Sequence, residues 1–236
     1  MIRLISVLAT LLLPFQVLSQ IGSWQQPEDW VRAEPFRSGT SSKNVKGQPG
    51  LFEDYLKAVI TTKEGRIIDE IRLNLFEKDE LVVSKDYKGV PGYYDVKEDD
   101  IVEFRITLSD GQDLRFVRLS ADEISSNYAS TGFYQILIGD AQLVKRAYKE
   151  LKKAEKAGGY AAGPVVDEYV LISQYFIKPK GENLYQEVKF TKKSISKVLG
   201  TDLANQAKSL VKDNGWKWKK EPDMLQLLKL LLDSKN

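Results

Sequence analysis

Residues Gly215-Trp216-Lys217-Trp218-Lys219-Lys220 interleave two indoles with three lysines. Proteins use this composition to stack sugars or bases beside anionic groups, and tryptophan is also favoured at a lipid headgroup layer. The same alternation fits two tryptophans turned into a core between helices with the lysines left in water, and that is the expected arrangement. Tyr93 and Tyr94, beside Pro91-Gly92, form a second candidate platform. Adjacent strand residues point to opposite faces, so at most one of the two serves a given face. Trp216, Trp218, Tyr93 and Tyr94 are therefore the candidate binding residues.

Carboxylates offer the other route to chemistry. Glycoside hydrolysis needs an acid and a second carboxylate at a suitable separation, and Glu70, Glu103, Asp113 or Glu187 are available for it. All four sit in alternating segments whose polar positions are expected to face water. Asp95, Glu98, Asp99 and Asp100 crowd together as hard-cation ligands do, but DVKEDD lacks the alternating ligands, central glycine and distal glutamate of a calcium loop. A charged turn between strands is the expectation there, and no metal or cofactor is expected. Gly158-Gly159-Tyr160-Ala161-Ala162-Gly163 lacks the Lys-Ser/Thr of a phosphate-binding loop and reads as a connecting loop, with a lid role if something binds nearby.

Two absences prune the chemistry further. The chain has no histidine and no cysteine, so Ser-His-Asp and Cys-His nucleophiles and the HExxH zinc helix are excluded. Any catalysis would run on Asp, Glu, Lys, Tyr, Ser or Thr. Without cysteine there is no disulfide scaffold, and stability must come from burial.

The elements that must position these residues change character along the chain. Residues 20–50 are rich in Ser, Gly, Pro and charge and read as a flexible lead or linker. Trp24, Trp30 and Phe36 within it suggest docking on the body that follows. From 51 to 119 apolar residues alternate between turn signals, which predicts an antiparallel meander curling into a small barrel or sandwich. IVEFRITL meets QDLRFVRL across Asp110-Gly111, the strongest hairpin signal in the chain. After a weak boundary near Ser120 to Gly132, residues 133–236 supply two further hairpins, around Gly139-Asp140 and Pro179–Glu182, separated by KELKKAEKAGGYAAGP, which opens on helix-forming residues. They end in about three helices, with Thr191 as an N-cap, Gly200 as a stop, Asn214-Gly215 as a second stop and Pro222 opening the last. Strands followed by helices make the class α+β, with a mainly antiparallel β-rich body and a C-terminal helical cluster.

The first nineteen residues give an address. Arg3 precedes an apolar run from Leu4 to Leu13, Pro14 ends it, and Val17 and Ser19 stand where a signal peptidase reads. A secretory signal peptide over 1–19, cleaved after Ser19, is expected; a spanning helix needs about 20 apolar residues, and this run is half that. No cysteine follows the cleavage site, so a lipoprotein is not expected. The formal net charge of +2 falls by one when Arg3 leaves with the leader, too little to grip nucleic acid electrostatically.

The phrases AVITTKEGRIIDEIRLNLFEKDELVV, FYQILIGDAQLVKRAY, QYFIKPKGENLYQEVKF and KDNGWKWKKEPDMLQLLKLLL together resemble a group of signal-peptide-bearing secreted or envelope proteins common in Bacteroidota. The resemblance runs from about Phe52 onward and carries no assigned activity or site residue. It implies a bacterial protein of the envelope or exterior, periplasmic or released. The expected function is a non-catalytic binding or accessory module for a protein or glycan partner in the envelope. A carboxylate-dependent hydrolase of a glycan or envelope polymer is the alternative, and a subunit that lends an edge strand to a partner's sheet is the third class.

Overall fold

The computed structural model describes residues 31–35, 45–76, 80–87, 90–127, 129–154 and 166–233. The expected signal peptide, Trp24, Trp30, Phe36 and the Gly158–Gly163 stretch lie outside the described residues.

The alternating apolar segments form strands, as their period of two requires. Strands β3 (Leu56–Thr62) and β4 (Ile67–Leu75) make the first hairpin, and β5 (Leu81–Tyr87) and β6 (Val90–Val96) extend it. Strand β7 (Ile101–Thr107) returns to lie against the free side of β3, and the Asp110-Gly111 turn leads into β8 (Asp113–Leu119). Gly111 closes that turn at φ +83°, with its N–H bonded to the carbonyl of Leu108.

The weak boundary after Leu119 does not interrupt the sheet. Strand β10 (Gly132–Ile138) pairs directly with β8, placing Gly132 opposite Leu119 and Gln135 opposite Phe116. It turns into β11 (Leu143–Lys152), which forms a ten-pair ladder with β12 (Asp167–Ile177). Lys149–Lys152, expected to begin a helix, are strand instead: each residue gains a ladder partner on β12, which outweighs the helix propensity of KELK. Strand β13 (Tyr185–Val188) completes the last hairpin, and the short β9 (Ile124–Ser125) lies parallel to it at the end of the sheet.

Two more strands come from the stretch expected as a flexible lead. β1 (Val31–Pro35) pairs antiparallel with β6, and β2 (Val45–Lys46) pairs parallel with β12, where Lys46 Nζ meets Glu168 at 2.8 Å. The outer edges of β6 and β12 present unpaired backbone groups, and pairing them overrides the polar local composition.

The strand order is β1-β6-β5-β4-β3-β7-β8-β10-β11-β12-β13-β9, with β2 beside β12. The path ends in β1 and β9, so the sheet is open, and the barrel foreseen from the meander does not close. It curls nonetheless. Ile60, Leu73, Leu81, Ile101 and Ile106 are fully buried in a cluster that contains no helical residue, so the inner face of β3 to β8 is covered by the sheet's own coiling. Phe104 centres that cluster, stacked on Phe116 at 4.6 Å and edge-on to Phe133 at 5.0 Å. Asn74 is buried on the same sheet, accepting from the Phe52 N–H and donating to the Phe52 carbonyl. This side chain ties the segment before β3 to β4.

The second half of the sheet carries the helices α1 (Lys192–Leu199), α2 (Thr201–Asp213) and α3 (Glu221–Asp233). Ile195, Ala204, Ala207, Met224, Leu227, Leu228 and Leu231 pack with Leu143, Ile177 and Val188 into a second cluster. A third, smaller cluster around Tyr134 and Phe176 joins the halves. The molecule is thus α+β with an antiparallel β-rich body and three C-terminal helices, and among the described residues no helix is long and apolar enough to cross a membrane.

Candidate functional site

The hairpin β12–β13 ends at the buried Val188, and the residues that follow, Lys189, Thr191, Lys193, Ser194, Lys197 and Val198, build one wall of a cleft. Phe190 is buried with its ring 4.2 Å from that of Tyr175, which anchors the turn to the sheet. Thr191 caps α1 by accepting the Ser194 N–H, while the Ser194 hydroxyl accepts the N–H of Lys189. These reciprocal bonds fix the entry to the helix. Ile195, Val198 and Leu199 then face the helical core, as their spacing requires. Lys193 and Lys197, one turn apart on another face, are turned to the cleft.

The opposite wall comes from β9 and the residues after it. A capping box between Ser120 and Glu123 shapes the preceding turn, and buried Ile124 pins β9 in place. Ser125, Ser126 and Asn127 then line the cleft, with Gln186 and Glu187 of β13 as its floor. The Ser126 hydroxyl donates to Glu187 at 3.2 Å, and Tyr185 donates to the Ala141 carbonyl at 2.7 Å. Burial, and secondarily the charge of Glu123, raises the Tyr185 phenol, so it stays a hydrogen-bond donor.

The cleft measures about 650 Å³, within the roughly 300–1,000 Å³ of ligand pockets. Its charged residues are Lys189, Lys193 and Lys197 against Glu187, and the remainder of its lining is polar apart from Val198. Sequence reading passed over these lysines. Their signal was the i, i+4 spacing in TKKSISK opposite the Ile195/Val198/Leu199 face.

The aromatic candidates fall in two separate places. Trp216 and Trp218 are half-buried against the helical cluster, while Lys217, Lys219 and Lys220 are exposed. The loop is held by the Trp216 N–H on the Val211 carbonyl and the Lys217 N–H on Asp223; that last bond holds the Asp223 carboxyl below its ordinary range. Both indoles pack against that cluster with part of each ring still exposed. Tyr94 packs into the sheet core, whereas Tyr93 is 48% exposed, its ring 4.7 Å from Tyr55. Burial, then the neighbouring Tyr93 and Asp95, pushes the Tyr55 phenol up to about 12.

The carboxylate candidates do not assemble into an acid and base pair. Glu103 faces Arg115 at 3.6 Å and Asp113 faces Arg105 at 3.3 Å, forming a lattice of ion pairs on the outer face of β7 and β8. Glu70 sits at φ +53° in β4, and Glu187 lies on β13, four strands along the sheet from β8. The acidic run folds as a 3-10 turn at Glu98–Asp100 between β6 and β7, with Asp99 2.6 Å from Arg118. Among the described residues, no group of three or more acidic side chains is gathered as a metal site.

One further polar cluster fastens α3 to the sheet. Lys145 of β11 donates to both Glu221 oxygens at 2.9 and 3.1 Å and lies over the Tyr175 ring. Burial, then the charge of Glu221, raises the Tyr175 phenol. No family model, curated protein or solved structure matches this chain.

Proposed function

We propose that this chain is a non-catalytic binding module, exported to the bacterial envelope or beyond, whose ligand site is the cleft between β9, β13 and α1. The observation that carries this reading is the cleft itself. It is large enough for a small ligand, lined by hydrogen-bonding side chains, and walled by elements fixed through caps and core contacts. The export half of the reading rests on the leader pattern and on the resemblance to secreted Bacteroidota proteins.

Hydrolysis finds less support. Glu187 is the one carboxylate among the described residues lining the cleft, and two-carboxylate glycoside chemistry needs a partner for it. The edge-strand class has no support at this cleft, because β9, which ends the sheet there, is only two residues long; the other end, β1, has five.

The test is a glycan array and an envelope-extract pull-down with the full chain, run beside Ser125→Trp. Ser125 is exposed on β9, so an indole there fills the cleft without removing a core contact. Loss of binding with an unchanged melting temperature supports the site. Undiminished binding refutes it. Release of reducing ends that disappears in Glu187→Gln would instead establish the hydrolase.

A further inference from the structure

We infer that the cleft takes an acidic oligosaccharide, a short chain of sugars bearing carboxylate or sulfate groups; this rests on the cleft being the ligand site proposed above. Charge is the first ground. Three lysines and one glutamate line the cleft, and the glutamate carboxylate already accepts a hydrogen bond from Ser126. Lys193 and Lys197 form a row along α1, about 5–6 Å apart at Cβ, so two anionic groups of one ligand can be met in succession. Between Lys178 and Lys197 the chain holds six lysines and two glutamates. Lys180 borders a smaller hollow that shares Val198 with the cleft, which carries the basic rim past the cleft's end.

The kind of cation also matters. Lysine is a compact, mobile point charge that imposes no bidentate geometry, which suits carboxylates or sulfates spaced along a flexible sugar chain. Ser126, Asn127 and Gln186 add donors and acceptors of the kind sugar hydroxyls need. Two other polyanions fit less well. No aromatic side chain is among the described lining residues, so nucleobases have nothing to stack on. A planar anionic membrane would meet the exposed lysines but leave the Ser126, Asn127 and Gln186 groups of the cleft unused.

The experiment is calorimetric titration of the full chain with tetragalacturonate and with a sulfated dextran oligosaccharide, using maltotetraose as the neutral counterpart. An acidic probe should bind, with affinity falling several-fold from 50 to 200 mM salt as the lysines are screened. The double variant Lys193→Gln/Lys197→Gln should weaken it at least tenfold without moving the melting temperature, while Lys57→Gln on β3 should leave it unchanged. If maltotetraose binds equally well and Ser125→Trp blocks it, the site stands and the anionic ligand is wrong. If a single-stranded oligonucleotide or phosphatidylglycerol vesicles bind while the acidic sugars do not, the inference fails. Failure of both acidic sugars at millimolar concentration also overturns it, and the array result with Ser125→Trp then decides the site on its own.

Discussion

Tyr134 of β10 is one of the side chains that join the two halves of the molecule. It is fully buried at the centre of the third cluster, its ring edge-on to Phe176 at 5.6 Å, and its hydroxyl donates to the Ser130 carbonyl at 2.8 Å. Two substitutions separate these contributions. Tyr134→Phe keeps the ring and removes the hydroxyl with its bond to the Ser130 carbonyl, a loss of about 1 kcal/mol. Tyr134→Ala deletes the ring as well and leaves a cavity among Leu119, Val144 and Phe176, a loss of about 3–5 kcal/mol. At about 2–4 °C per kcal/mol for a chain of this size, the first lowers the melting temperature by a few degrees and the second by on the order of 10 °C. Urea unfolding followed by both tryptophan fluorescence and far-UV circular dichroism is the assay. In a Trp24→Phe/Trp30→Phe background the fluorescence reports Trp216 and Trp218 at the helical cluster while dichroism averages over sheet and helices, so coincident transitions are expected if the halves melt together. The reasoning is refuted if Tyr134→Ala costs under about 1 kcal/mol, or if Tyr134→Phe costs as much as Tyr134→Ala.

Two further expectations are independent of that cluster. Trp216→Ala should lower the urea midpoint while leaving affinity for any cleft ligand intact, because the indole packs against the helices; lost binding with unchanged stability would restore the tryptophans as a ligand platform. The Tyr55 phenol is raised in the folded protein to about 12 from its ordinary value of 10.0, so the unfolded chain ionises first. Its contribution is fully present below pH 10 and is lost as pH rises towards 12. Urea midpoints at pH 9 and pH 11 should therefore fall less for Tyr55→Phe than for the unmodified chain, and an equal fall would contradict the burial of this ring.

What the sequence made legible was local. The turns at Asp110-Gly111 and Pro179–Glu182, the Thr191 cap and the Gly200 stop each depend on a few adjacent residues and stand where expected; the two-residue turn expected at Gly139-Asp140 runs on through Ala141 and Gln142 to β11 at Leu143. What stayed hidden was pairing between distant segments. Nothing near Gly132 announces Leu119 as its partner, nor does VK at 45–46 announce Asp167 and Glu168. The strand at Lys149–Lys152 was hidden because KELK is a good helix former judged alone. The cleft was hidden for the same reason as the pairings. Its lysines belong to α1 and the turn before it, its hydroxyls to β9 some sixty residues earlier, and only the parallel contact of β9 with β13 brings them face to face.

The short segment after β2 gives the open sheet a property that its hydrogen-bond ladder lacks. Lys46 is paired on β12, and five residues later the Leu51 N–H is bonded to the Leu75 carbonyl at the end of β4. In the strand order, β2 and β4 are seven interstrand steps apart, an arc of about 34 Å at about 4.8 Å per step. Five extended residues reach at most about 18 Å. The segment is therefore a chord much shorter than the arc it subtends, and the sheet can satisfy both anchors only by bending its β12 region back towards β4. The sheet stays open between β1 and β9, but a covalent strap ties its β12 region to the end of β4. Inserting residues between Lys46 and Leu51 would relax that curvature without touching a single strand.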